Sequence, residues 1–387
     1  IPQDYDNLNI IFDYLIKAVN KSLSRIFDFD SRDFDLVNES IEVIISEIIK
    51  QPSFQISRKG ANELLKNKFK NDVSNSRNIL RELISENIFH ENIMYNPKTE
   101  KYDKEIIYFS YERLGDYLIA KALINEDIHI IKNNKLITSD CKIYEYVKNE
   151  NSIMRYKGLI EAFSIIIPEK TEFELYELLE NNKIYDLGEA FLESLIWRNK
   201  NTIGEKIDSY INDYITGIVG LKDKFLEVLI QLSLREEHYL NSYYLDNFLS
   251  GMKMNQRDYY WTIFINDSET VKLFINWAFE SETIHNFNEE SKKLLSTILT
   301  WFLTSSNREY RDVATKALVK IFQNDLVLLE RLIKFFKKTN DLYVVERLYA
   351  VAYGAMLRTN NDKQIKDFAT FIFNQVFKNK NPIEHHL

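Results

Sequence analysis

A single cysteine, Cys141, in 387 residues leaves no intrachain disulfide and no cysteine-based zinc site. That usage suits a reducing compartment, and a cytoplasmic location is the expectation. Nine glycines and five prolines are few for this length, so helices joined by short loops are the default fold. The nearest glycine pair, Gly217 and Gly220, lacks the spacing and the Ser/Thr of a phosphate-cradling loop. No apolar run approaches the ~18–20 residues that cross a bilayer, so no membrane partner is expected. The histidines (His90, His129, His238, His285, His385, His386) are scattered, with no pair spaced to share a metal on one helical face. No metal site, cofactor or catalytic residue is therefore assigned to this chain, and it is not expected to be an enzyme.

Charge of one sign is also missing from any long block. The net charge of −8 argues against broad binding of polyanions, which needs clustered positive charge. Asp28, Asp30, Asp33 and Asp35 crowd one loop, but Arg32 and Asp33 stand where a calcium loop needs an oxygen ligand and a glycine. Carboxylates capping the start of a helix explain them better.

What is present is helical periodicity with one interruption. Residues 8–27 place Leu8, Ile11, Leu15, Ala18, Leu23 and Phe27 along a helix, and a second helix over 36–50 is ended by Gln51 and Pro52. A third covers 56–71. The stretch from Arg77 to Ile124 organises the chain: a helix with Ile79, Leu80, Leu83 and Ile84 on one face, a hairpin, then a helix over 112–125. Strand signals lie at 87–95 and 105–111, rich in β-branched and aromatic residues, with Asn96-Pro97 opening a long solvated tip. Helix, two-stranded wing and closing helix make a winged helix.

The run from Phe109 to Ile124 resembles the end of the winged-helix domain in NACHT and related STAND NTPases, with Phe109, Asp116, Tyr117, Ala120 and Ala122 fitting the pattern. Tyr111 stands where many of these proteins carry a nucleotide-sensing histidine. Residues 340–357 resemble the helical-repeat arms of large bacterial STAND proteins, some of them antiphage sensors. The resemblance implies a helical linker domain over 1–57, a winged-helix domain over 58–126 and a helical array over 127–387. It also implies an upstream ATPase domain using ATP and Mg, a protein ligand, an oligomeric parent and a role in antiviral defence. The opening at Ile1 reads as a chain taken from such a longer protein.

Beyond Asn125 the periodicity predicts helices near 137–148, 152–166, 171–181, 185–197, 202–215, 219–234, 236–250, 267–280, 287–303, 308–323, 325–338, 341–358 and 362–378. Tyr310, Val313, Ala314, Ala317, Leu318 and Ile321 keep one register, and Ile365, Phe368, Ala369, Ile372, Phe373 and Val376 repeat it. Such stripes are buried only by neighbours, which points to a HEAT-like α-solenoid, with a compact bundle as the competing arrangement. The expected fold is mainly α: a winged helix followed by that solenoid.

Aromatics concentrate mid-array, at Tyr239, Tyr243, Tyr244, Tyr259, Tyr260 and Trp261. Most aromatics in helical repeats fill the core, but amphipathic rings on an open face suit protein binding, so these six are the candidate partner surface. Arg58, Lys59, Lys66, Lys68 and Lys70 would contact phosphate if the winged helix read nucleic acid, the alternative function. Arg77 and Arg81 on the recognition helix are balanced by Glu82 and Glu86, which weighs against it. A third reading, an enzyme, would need polar groups converging in a pocket.

Overall fold

The computed structural model describes residues 7–50, 54–70, 78–96 and 99–378. The chain is mainly helical with one small three-stranded sheet, and it divides into two compact units, 1–202 and 203–387.

In the first unit, α1 (Leu8–Phe27) packs on α2 (Leu36–Ile48). Each starts on a side-chain cap: Asn7 accepts from Asn9 N, and Asp35 accepts from Asn38 N. The aspartate loop is thus accounted for at one end by Asp35. At the other, Asp28 ends α1 in the left-handed region (φ 56°), and Asp30 is gripped by Arg32 at 2.6 Å, which holds its carboxyl below the usual range. Buried Asn20 donates to Phe34 O (2.9 Å) and accepts from Val37 N (3.3 Å), locking the loop between the helices. The buried face of α1 is Phe12, Ile16, Val19 and Leu23. Leu8, Leu23 and Phe27 of the predicted stripe are buried with it, whereas Ile11 and Leu15 are half-covered and Ala18 is exposed.

Next come β1 (Ile56–Ser57), α3 (Arg58–Lys68), α4 (Ile79–Ser85), β2 (Phe89–Asn96) and β3 (Lys101–Phe109), with β3 central in the order β1-β3-β2. The short strand β1 was not predicted: Ile56 pairs with Ile107 and so starts the third element as sheet, with Ser57 capping α3. The hairpin tip is shorter than the sequence suggested. Ile93 pairs with Glu105, Met94 with Lys104 and, beyond a register shift, Tyr95 with Tyr102. Two strands satisfy each other's backbone while charged side chains stay in water, so polar residues do not end the ladder. Gln51, Pro52, Arg77, Pro97, His385 and His386 lie outside the described residues.

Helix α5 (Glu112–Asn134) runs well past the predicted 125 and packs against α2, β3 and the helix over Lys157–Lys170. It buries Leu114, Tyr117, Ile119, Ala120, Leu123, Ile124 and Ile131, more than one stripe. After it come α6 (Tyr144–Val147), α7 (Glu150–Arg155), α8 (Lys157–Lys170) and α9 (Tyr185–Trp197). The helices predicted over 137–148 and 171–181 reduce to the single turn α6 and a 3₁₀ turn at Leu175–Leu178. There a buried ion pair replaces helical packing: Arg198 Nη1 and Nη2 donate to Glu174 Oε2 (2.6 Å) and Oε1 (3.0 Å), both side chains at most 2% exposed.

The second unit holds α10 (Asp208–Asp213), α11 (Val219–Leu232), α12 (Ser242–Ser250) and α13 (Met254–Arg257), which continues through a π-turn at Asp258–Thr262 into α14 (Ile263–Asp267). Then follow α15 (Glu269–Glu280), α16 (Glu289–Phe302), α17 (Arg308–Phe322), α18 (Leu326–Phe336), α19 (Leu342–Met356) and α20 (Asp362–Ile372). The helices predicted over 202–215 and 236–250 are cut short to α10 and α12. From α12 onward the packing has two layers: α15, α17 and α19 succeed one another in one, and α12, α16, α18 and α20 in the other. Ala314 and Ala317 are fully buried where these layers meet. The stripe predicted for the last helix is not: only Phe368 is buried, and Ala369 and Phe373 are exposed.

Candidate functional site

The six mid-chain aromatics separate into four settings. Tyr239 and Tyr244, with ring centroids 5.2 Å apart, both donate to Asp208, to Oδ2 at 2.6 Å and to Oδ1 at 3.0 Å. Burial, and then that carboxylate, push both phenols above their ordinary pKa. They tie α12 and the loop before it to α10. Tyr259 and Tyr260 place their rings 5.4 Å from Lys222 Nζ, a lysine 6% exposed that pairs with Asp223 at 3.0 Å. Trp261 is a core residue and drops out of the partner surface: it is fully buried, stacks on Phe302 at 5.7 Å, and donates to Trp301 O.

Tyr243 lines a cavity. A groove of about 200 Å³ opens between α12, α16 and α18, lined by Tyr243, Lys293, Ser296, Thr297, Leu328, Arg331, Leu332 and Phe335. Helix α16 starts at Asn288, whose side chain accepts from Ser291 N at 2.7 Å. Its first turn is acidic, as the helix dipole favours. Glu289 there accepts from Lys293 Nζ (2.9 Å) and Arg331 Nη1 (2.7 Å), holding both cations at the rim. Lys293 holds Glu289 below the usual carboxylate range, and Glu289 in turn raises Lys293. The Tyr243 phenol is raised first by burial and then by the Glu290 carboxylate. The wall is less polar than its sequence suggests. Ser296 and Thr297 turn their hydroxyls back to Lys293 O, at 3.0 and 2.8 Å, so the groove meets carbon. Leu328 and Leu332 are buried beneath it, and Phe335 stands 45% exposed at its edge.

Such a site accepts one or two apolar side chains beside a pair of held cations. It is smaller than the ~300–1,000 Å³ usual for small-molecule pockets. Sequence reasoning found Tyr243 and missed Lys293, Ser296, Thr297, Arg331 and Phe335. One signal was present: Phe335 and Phe336 are adjacent on an amphipathic helix, so only one can face the core. Phe336 is buried, and Phe335 is left outside.

The remaining candidates lie in the first unit. Tyr111 is 52% exposed and starts α5 without a side-chain cap. Of the basic set, Arg58 bonds Glu91 at 2.7 Å and approaches Glu105 at 3.9 Å, Lys59 pairs with Glu63 at 3.9 Å, and Lys68 with Glu39 at 2.9 Å. Lys66 and Lys70 are exposed. Asp116 is half-buried on α5, and burial, with Glu112 and Glu161 nearby, raises its pKa to about 6. Its carboxylate rests on Gly158 so closely that a Cβ there would sit 2.0 Å from Oδ2. Among the described residues no group of three or more His, Cys, Asp or Glu is placed to hold a metal ion.

No family model, curated protein or solved structure matches this chain.

Proposed function

We propose that this chain is the ligand-sensing and regulatory portion of a STAND-type NTPase, in which the helical stack binds a protein ligand and a winged-helix element couples that event to an ATPase domain. The observation that carries the reading is the groove at Tyr243, Thr297 and Phe335. Its apolar walls, small volume and exposed aromatic edge suit an anchoring side chain from a protein, and its rim cations suit a neighbouring carboxylate. The two-layer succession from α12 to α20 supports a HEAT-like array. The order α3, α4, β2, β3, with β1 added to β3, supports a winged helix. The exposed hairpin face bearing Ile93, Tyr95 and Tyr102 is then the coupling surface. Coupling would require that face to pack differently in two states of the parent protein.

The test is affinity capture with the wild-type chain and with Phe335→Ala and Arg331→Glu, from phage-infected and uninfected bacterial cells. Both residues are well exposed, so neither change should disturb folding. The reading predicts a protein retained at high salt by the wild type and lost from both variants. Identical captures by all three would refute it.

A further inference from the structure

The first unit contains a larger cleft that the groove reading does not use. It encloses about 800 Å³ between the end of α2, the middle of α5 and the segment from Lys142 to Tyr156. Its charge is opposite to that of the whole chain. Four cations line it, Lys50, Lys142, Lys148 and Arg155, against two carboxylates, Glu126 and Glu145. Three of the cations are in ion pairs at the surface: Lys50 with Glu47 (2.7 Å), Lys148 with Glu145 (2.5 Å), and Lys142 with Glu126. Every member of these pairs is at least 35% exposed, so the pairs stabilise the fold little and exchange at little cost for a stronger anion. Arg155 is exposed, with its guanidinium 5.4 Å from the Tyr156 ring.

The cleft is also the right kind of space for a small molecule. Its volume falls in the range of ligand pockets, about 300–1,000 Å³. Two aromatic rings line it, Tyr146 and Tyr156, which meet at 5.0 Å, and Phe54 stacks on Tyr146 at 5.5 Å. Asn149, Asn151, Ser46 and Ser152 add neutral polar groups around the cations.

We propose that this cleft binds a small polyanion, phosphate- or carboxylate-bearing, through Arg155, Lys142 and Lys148. Because its walls come from α2, α5 and the α6–α7 segment, such a ligand would hold those three elements in one arrangement.

Isothermal titration calorimetry of the full chain at low salt, with inorganic pyrophosphate and separately with citrate, tests the proposal and distinguishes the two chemistries. The expected result is saturable binding of one or both, weakened about tenfold or more by Arg155→Ala and by Lys148→Ala, since a charge-assisted hydrogen bond is lost in each. The two variants should melt as the wild type does, and Lys366→Ala, at an exposed position outside the cleft, should bind as the wild type does. Absence of saturable binding to both probes would overturn the proposal. So would binding that Arg155→Ala and Lys148→Ala leave unchanged, or that Lys366→Ala weakens equally.

Discussion

At the scale of single residues, the second unit rests on a buried polar chain. Arg257, fully buried, donates to Asn340 Oδ1 (2.6 Å) and Asp341 Oδ2 (3.1 Å) and lies 5.3 Å from the Trp301 ring. Trp301 in turn donates to Asp246 at 3.0 Å. Burial raises Asp246 to about 6, the indole bond offsetting only part of that cost. The folded state therefore holds a proton that the unfolded chain has released, and this stability is present below the unfolded pKa and lost as pH rises through about 6. Asp246→Asn keeps an acceptor for the indole and removes the charge. It should raise stability at pH 7.5, by at most about 3 kcal/mol, and shrink the gain otherwise seen on moving to pH 5. Thermal unfolding at the two pH values measures both effects; an unchanged pH dependence would contradict the assignment. The pair Arg198–Glu174 has the opposite character, since removing one partner strands a buried charge. Glu174→Ala should cost about 3–5 kcal/mol in denaturant unfolding, and the double change Glu174→Leu with Arg198→Met far less. Equal losses would show that the pair is not what matters there.

At the scale of elements, the hairpin is the clearest case of structure held by only part of its length. Ile106, Ile107, Phe89 and Phe109 are buried at its base, whereas 91–95 and 101–105 are exposed on both faces. Joining Ile93 to its partner Glu105 through a two-residue Asn-Gly turn should leave the melting temperature of the first unit within about 1–2 °C of wild type, because little apolar surface is lost. A large drop would mean that the distal ribbon packs on something in the fold. Legibility followed the same physics. Helix α1 was readable at both ends because the apolar period is a local signal. Its buried face was readable only in part: Leu8, Leu23 and Phe27 follow the period, but Phe12 meets Tyr117 from α5 at 5.3 Å, a choice made by a distant element. The helices lost at 137–148 and 171–181 had helical periods, but there Asp127 accepts from Ile143 N (2.9 Å) and Glu174 pairs with Arg198, partners far away in sequence. The groove was half-readable for the same reason. Tyr243 is visible as an aromatic, but only the fold brings it to Thr297 and Phe335, while Tyr239 and Tyr244 go instead to Asp208.

At the scale of the whole molecule, the proposed reading gives the two units separate tasks: recognition in the stack, coupling through the hairpin element. The recognition claim is central, because without a protein in the groove the stack has no input to pass on. The most direct measurement places a photo-crosslinking phenylalanine analogue at Phe335 in one chain and at Lys366 of α20 in another. Both are irradiated in phage-infected bacterial cells, and the adducts are identified by mass spectrometry. Both positions are exposed, and of the two Phe335 lines the groove while Lys366 does not. The account predicts one defined protein adduct from position 335 that position 366 does not give and that Arg331→Glu suppresses. No adduct at 335, or the same adducts from both positions, would contradict it.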